Sequence, residues 1–171
     1  MKNLIKVCVF ALVLSSCATQ TDSEAKERMI GFHPNPEIQD LKWHLGTQEA
    51  IDHVISLDKL WVAKDFEAMR GHFVDTLKVT NWDGVTFTNF DAFKASQEAD
   101  SAEVSWTFDY AYSVDINPSM GGEHVQAGFS ISSPKEDGTV EKYLVHESYY
   151  IIDQKIVTLS QYKQAAAQSE E

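Results

Sequence analysis

Three residues have the type and placement for acid–base chemistry: Asp58, Glu147 and His146. Asp58 is the sharpest. In "EAIDHVISLDKLWVAKD", at about 100° per residue, Ala50, Ile51, Val54, Ile55, Leu57, Trp61 and Val62 project onto one apolar arc. Asp58 projects near the middle of that arc, where a core residue is expected. His53, Ser56, Lys59 and Ala63 fall on the far side, with Leu60 the apolar exception.

Glu147 and His146 sit on a strand of alternating pattern, "TVEKYLVHESYYIID", that returns from the turn "PKEDG". With Pro134 and Gly138 as bracketing partners, Ala127 faces Val145, Phe129 faces Tyr143 and Val125 faces Glu147. The inward set is then Tyr143, Val145, Glu147, Tyr149 and Ile151, while His146, Ser148 and Tyr150 point outward. A slip of one residue exchanges the two faces, and His146 then replaces Glu147 inside. In the favoured register Asp58 and Glu147 share one apolar interior. Burial raises a carboxyl pKa, and a like-charged neighbour raises one member further. Such a pair suits general acid–base work on a small organic substrate. Asp58 has a second reading: it accepts a hydrogen bond from a Tyr hydroxyl, a Trp N–H or the Asn81 amide and pins the core.

Other signals are weaker. His72 and Asp75 straddle the end of a short helix and read as a cap or surface pair. The six histidines lack zinc-ligand spacing. No Gly-rich phosphate loop and no nucleophile elbow occurs. Neither a cofactor nor a metal is expected.

The elements that must position these residues follow from periodicity. Thr47 is a good N-cap for a helix running to about Lys64. Asp65 can cap a second short helix, "FEAMRGHF". "DTLKVTNWDG" reads as a strand ending in an Asp83-Gly84 turn, and "FDAFKASQEAD" as a third helix capped by Asn89 or Asp91. "DLKWHL" suggests a turn of helix whose Trp43 and Leu45 cover one end of the core. "EVSWTFDYAYSVDI" alternates throughout, placing Trp106, Phe108, Tyr110 and Tyr112 on one face. Helices followed by long antiparallel strands make an α+β pattern, helices on one face of a curved sheet.

Formal net charge is −12 over 171 residues, and no Lys/Arg cluster offsets it. Such a chain repels phosphate backbones, so no nucleic-acid partner is expected. The opening "MKNLIKVCVFALVLSSCATQ" has a basic start and an apolar run too short to span a bilayer, which reads as a signal peptide. "LSSC" resembles the bacterial lipobox. That resemblance implies cleavage before Cys17, lipid (a diacylglycerol and an acyl chain such as palmitate) on Cys17, and membrane attachment through it. The Ala18 that follows favours the outer over the inner membrane, with the periplasmic or surface face open. Cys8 is then removed with the leader, leaving no disulfide. The expected layout is a leader over 1–16, lipidated Cys17 and a polar tether over 17–39, one domain over 40–164, and a frayed tail over 165–171.

The phrase "LDKLWVAKDFEAMRGHFVDTLKVTNWDGVTFTNFDAF" resembles the N-terminal half of nuclear transport factor 2-like proteins, the SnoaL-like and ketosteroid-isomerase-like superfamily. The matching features, in order, are the aromatic helix with Trp61, the acid cap Asp65, Phe73 with Asp75 opening a strand, and the Asp83-Gly84 turn. "YYIIDQKIVTLSQY" is similar to the closing hairpin, with Lys155-Ile156 after its turn. The likeness runs from Thr47 to Lys163. It implies a cone, a strongly bent antiparallel sheet around the first helix, with a pocket at the open end and a homodimer through the sheet. The implied pocket takes Leu57, Asp58, Trp61, Asn81, Trp106, Phe108, Tyr110, Tyr112, Val125, Glu147 and Tyr149. The steroid-isomerase base falls on Asn81 and its oxyanion Tyr on Leu57, while its second oxyanion acid falls at or near Glu147. An amide cannot take a proton from carbon and Leu cannot donate a hydrogen bond, so that chemistry is not expected. Three functions stay open: binding of a small, fairly apolar molecule, an acid–base enzyme of cyclase or dehydratase type, and an interaction module.

Overall fold

The computed structural model describes residues 29–99 and 103–165. The leader and Cys17 lie outside the described residues. Seven strands form one sheet in the order β1 (His44–Leu45), β4 (Ser105–Asp115), β5 (Gly122–Pro134), β6 (Val140–Ile152), β7 (Lys155–Ala165), β2 (Phe73–Thr80), β3 (Thr86–Phe87). The sheet is curved and open, and helices α1 (Gln48–Val62), α2 (Phe66–Met69) and α3 (Phe90–Ala99) complete an α+β cone. One pairing departs from the antiparallel expectation: β2 runs parallel to β7, with Val79 opposite Leu159. The chain reaches β2 from α2 and the 3-10 turn Arg70–His72, so the strand enters beside the last strand in the same direction.

Helix α1 starts where Thr47 caps it, its hydroxyl accepting from Ala50 N–H at 3.2 Å. Glu123 on β5 fixes that end to the sheet. It accepts from Thr47 N–H at 2.6 Å, the Thr47 hydroxyl at 2.8 Å and the Ser113 hydroxyl at 2.7 Å. Burial alone would raise the Glu123 pKa, but these donors more than offset it and hold the carboxyl below its ordinary range. Ala50, Val54 and Leu57 form the buried stripe of α1, packed with Phe93, Leu77, Val79, Val125, Ile156 and Leu159. Val62, expected on the apolar arc, is exposed at the helix end, and Leu60, the apparent outlier, packs against the core. Asp65 and Asn89 cap the next two helices, accepting from Ala68 and Ala92 N–H, while Asp91 pairs with Arg70.

"DLKWHL" forms an edge strand rather than a helical turn. His44 and Leu45 pair with β4, Trp43 packs edge-on against His124, and Leu45 stays exposed. Ile30 bridges to Trp43, so part of the stretch read as tether lies against the domain.

Strand β4 carries the largest departure from the alternating pattern. Phe108 faces Phe129 but Tyr110 faces Gly128, so one extra residue, Asp109, is accommodated by a bulge. Beyond it the faces exchange. Ala111, Ser113 and Asp115 turn inward, and Tyr110 and Tyr112 point to solvent at 50 % exposure each. The Tyr110 ring lies over Gly128, where any Cβ would collide with it. In the β5–β6 hairpin Ala127 faces Glu147 and Phe129 faces Val145. That is two residues from the expected pairing, an even slip that leaves every inward residue inward.

A paired truncation tests these faces. Leu57→Ala is expected to cost about 2–5 kcal/mol in urea unfolding. Tyr112→Ala should stay within about 0.5 kcal/mol, and comparable losses for the two would contradict the assignment.

Candidate functional site

At the open end of the cone, beyond the buried stripe of α1, the interior widens into a cavity of about 460 Å³. Its walls include Trp61, Trp106, Tyr143 and Tyr149, with Asp58 and Glu147 among them. The cavity arises because α1 follows the sheet only part of its length. Leu57 still meets the core, but one turn later Trp61 is half-buried and edge-on to Phe93.

Asp58 accepts a hydrogen bond from the Trp106 indole N–H at 2.7 Å, joining α1 to β4. The same carboxylate lines the cavity, so the pin and the wall are one group. Glu147 on β6 is 6 % exposed and carries two donors. The Gln161 amide donates to one oxygen at 2.7 Å and the Tyr149 hydroxyl donates to the other. Burial pushes the Glu147 pKa above its ordinary 4.5; the two donors oppose the shift, and the nearby charge of Asp58 adds to it. Burial likewise drives the Tyr149 hydroxyl well above 10.0, helped by the Glu147 and Asp58 charges. Tyr149 is therefore a fixed proton donor at physiological pH, and the Glu147 carboxyl is held above its ordinary range.

Of the residues expected at a pocket, Asp58, Trp61, Asn81, Trp106, Glu147 and Tyr149 line this cavity. Leu57 and Val125 are fully buried in the core beside it. Phe108 stacks on Phe129 at 4.8 Å, which takes its ring face. Tyr110 and Tyr112 leave the site because the bulge turns them outward. His146 is also on the outer face, bonded to the Tyr110 hydroxyl at 3.2 Å and to Gln126 Oε1 at 2.8 Å. Asn81 also braces the turn before β3, its side-chain oxygen accepting from Asp83 N–H at 3.1 Å and Val85 N–H at 2.8 Å. Gln161 was missed by residue-type reasoning, since glutamine on a terminal strand carries no signal until its partner is known.

His72 pairs with His53 rather than with Asp75, ring nitrogen to ring nitrogen at 3.2 Å. Burial, then the His53 and Lys155 charges, lower the His72 pKa to about 4. His53 was expected on the solvent side of α1; the turn before β2 covers it. Among the described residues no group of three or more His, Cys, Asp or Glu forms a metal site, and no helix is long and apolar enough to cross a membrane.

The Glu147 environment has a pH signature. The unfolded chain loses this proton near pH 4.5 and the folded chain only above it. The folded state therefore binds more protons in that window, and stability falls as pH rises through it. Glu147→Gln has no such proton to lose. Relative to wild type it should gain stability between about pH 4 and about pH 8; urea unfolding at both values checks this, and an equal or opposite change would refute the raised pKa.

No family model matches the chain, and no curated protein matches it. Solved structures do. A nuclear transport factor 2-like protein of unknown function from Burkholderia pseudomallei is 10% identical, with 69% of this chain and 92% of that one covered and a TM-score of 0.56. A putative ketosteroid isomerase from Kribbella flavida is 8% identical over 74% and 86% of the two chains, TM-score 0.56. The association domain of CaMKII from C. elegans is 12% identical over 67% and 93%, TM-score 0.56. A putative ketosteroid isomerase, an association domain and a protein of unknown function on one scaffold leave activity to the site residues. What the likenesses establish is architecture: this chain has the nuclear transport factor 2-like cone fold.

Proposed function

We propose that this chain is an envelope lipoprotein whose domain binds a small, largely apolar molecule at the open end of its cone. One observation carries the binding reading: a cavity of about 460 Å³ walled by the rings of Trp61, Trp106, Tyr143 and Tyr149, with polar side chains set among them. Small-molecule sites fall in the range of about 300–1,000 Å³ and combine aromatic walls with polar groups that set orientation. The anchor rests on the sequence alone, on the leader and the lipobox-like "LSSC" ending at Cys17. Sorting to the outer membrane rests on Ala18.

A second reading places acid–base catalysis in the same cavity, on a small organic substrate. Glu147 beside Asp58 at the cavity wall supports it, because a carboxyl raised above its ordinary range by burial is suited to general acid–base work. A third places a second copy of the chain on the outer sheet face, where Tyr110, Tyr112, Leu144 and Tyr162 are exposed.

Native mass spectrometry of the full chain extracted from its own envelope separates these readings. The binding reading expects the lipidated polypeptide plus one small organic mass, lost in a cavity-filling variant such as Ser96→Trp. Lipidated polypeptide with no further mass, at wild-type sequence, argues against it. If the retained molecule is chemically converted by wild type but not by Glu147→Gln, the catalytic reading prevails. A two-chain mass is required by the third, and a strictly monomeric spectrum removes it.

A further inference from the structure

The cavity's charges and rings narrow what it can hold. Among the described lining residues the ionisable carboxyls are Asp58, Asp83 and Glu147, against the single ammonium of Lys64. Lys64 and Asp83 are exposed at the mouth, while Glu147 is buried and Asp58 half-buried inside. The interior charge is therefore acidic, and the opposing ammonium sits where water screens it. The same lining holds the indoles of Trp61, Trp106 and the exposed Trp82, three of the four tryptophans in the chain.

Helix α1 adds to this field. It ends at Val62, and its last turn, with Trp61 and the following Lys64, belongs to the wall. A helix presents partial negative charge at its C-terminal end. The last turn of the longest helix among the described residues thus adjoins the cavity, in a chain of net charge −12. A ring of the same wall already engages a cation elsewhere: the Lys163 ammonium lies 3.8 Å from the centre of the Tyr143 ring.

These features bear differently on the ligand classes. An anion would meet two interior carboxyls and one screened ammonium. A wholly neutral apolar molecule would leave Asp58 with only the Trp106 N–H and Glu147 with only its two neutral donors, and desolvating a carboxylate without a counter-charge is costly. A cation with an apolar body satisfies both sets of groups. Its charge is met by the carboxylates and by the π-faces of the indoles, and its body by the remaining walls.

We propose that the cavity binds an organic cation, an amine or quaternary ammonium carrying an apolar group, with Asp58 and Glu147 as counter-charges and Trp61, Trp82 and Trp106 as the aromatic cage. This rests on the ligand-binding reading above and names the class of ligand. Glu147 then couples binding to pH. The groups that face it are Asp58 from α1, Tyr149 on its own strand and the Gln161 amide from β7, with Lys64 and Asp83 at the mouth. Burial favours its protonated form and a bound cation favours the ionised one, so affinity rises with pH as Glu147 ionises.

The test compares three probes of nearly one shape: benzyltrimethylammonium, its uncharged carbon isostere neopentylbenzene, and benzylsulfonate. Each is titrated into the full chain and followed by tryptophan fluorescence and calorimetry. The cation is expected to bind at least about tenfold tighter than the isostere, with the sulfonate weakest. Asp58→Asn, which keeps an oxygen to accept from Trp106, should weaken the cation by about tenfold or less and leave the isostere unchanged. Glu147→Gln should remove the rise of affinity with pH. If isostere and cation bind equally, or the sulfonate binds best, the cation inference fails while the ligand pocket stands. If none of the three binds, both fail.

Discussion

Keeping Glu147 out of water is the constraint around which the open end of the cone is arranged. A carboxyl at 6 % exposure must find hydrogen-bond donors or carry a large desolvation cost. Tyr149, two residues along on the same face, and Gln161, directly across on β7, supply them. Both donors are thereby fixed, and with them the register of β6 against β7 at that point. The cluster is itself buried, with Tyr149 at 2 % and Gln161 at 8 % exposure, and it forms a polar part of the cavity wall. Asp58 lines the same cavity while tied back by the Trp106 indole.

The same arrangement explains why a polar residue interrupts the apolar stripe of α1. The stripe of Ala50, Val54 and Leu57 is covered by sheet, and at Asp58 the cover ends. A helix buried along its whole length would have no use for an acid there. On a helix that passes from core to cavity wall, one side chain can join α1 to β4 and present charge to the interior. The Asp58 charge raises the cost of ionising Glu147, and the indoles and the Tyr149 hydroxyl set what that charge can meet.

Much of this was legible in the sequence, and the failures have physical causes. The inward face of β6 survived an incorrect pairing because the error was two residues, and strand faces repeat every two. Tyr110 and Tyr112 were misplaced because a bulge adds one residue without leaving any mark in the alternating pattern. Asp109 looks like an ordinary outward residue until its partner strand is known. The parallel β2–β7 pairing depends on how the chain returns from α2, which no local periodicity encodes. The same holds for the His53–His72 contact, made between residues 19 apart across a helix and a turn. Caps, by contrast, were readable at Thr47 and Asp65 because capping is a local exchange of hydrogen bonds.

At the wall of the cavity Glu147 is a buried carboxyl coupled to Asp58. A carbon NMR titration of the Glu147 side-chain carboxyl, in wild type and in Asp58→Asn, tests it most directly. The wild-type midpoint is expected above 4.5 and should move down when the Asp58 charge is removed. A midpoint at or below 4.5, or one indifferent to Asp58, would contradict it.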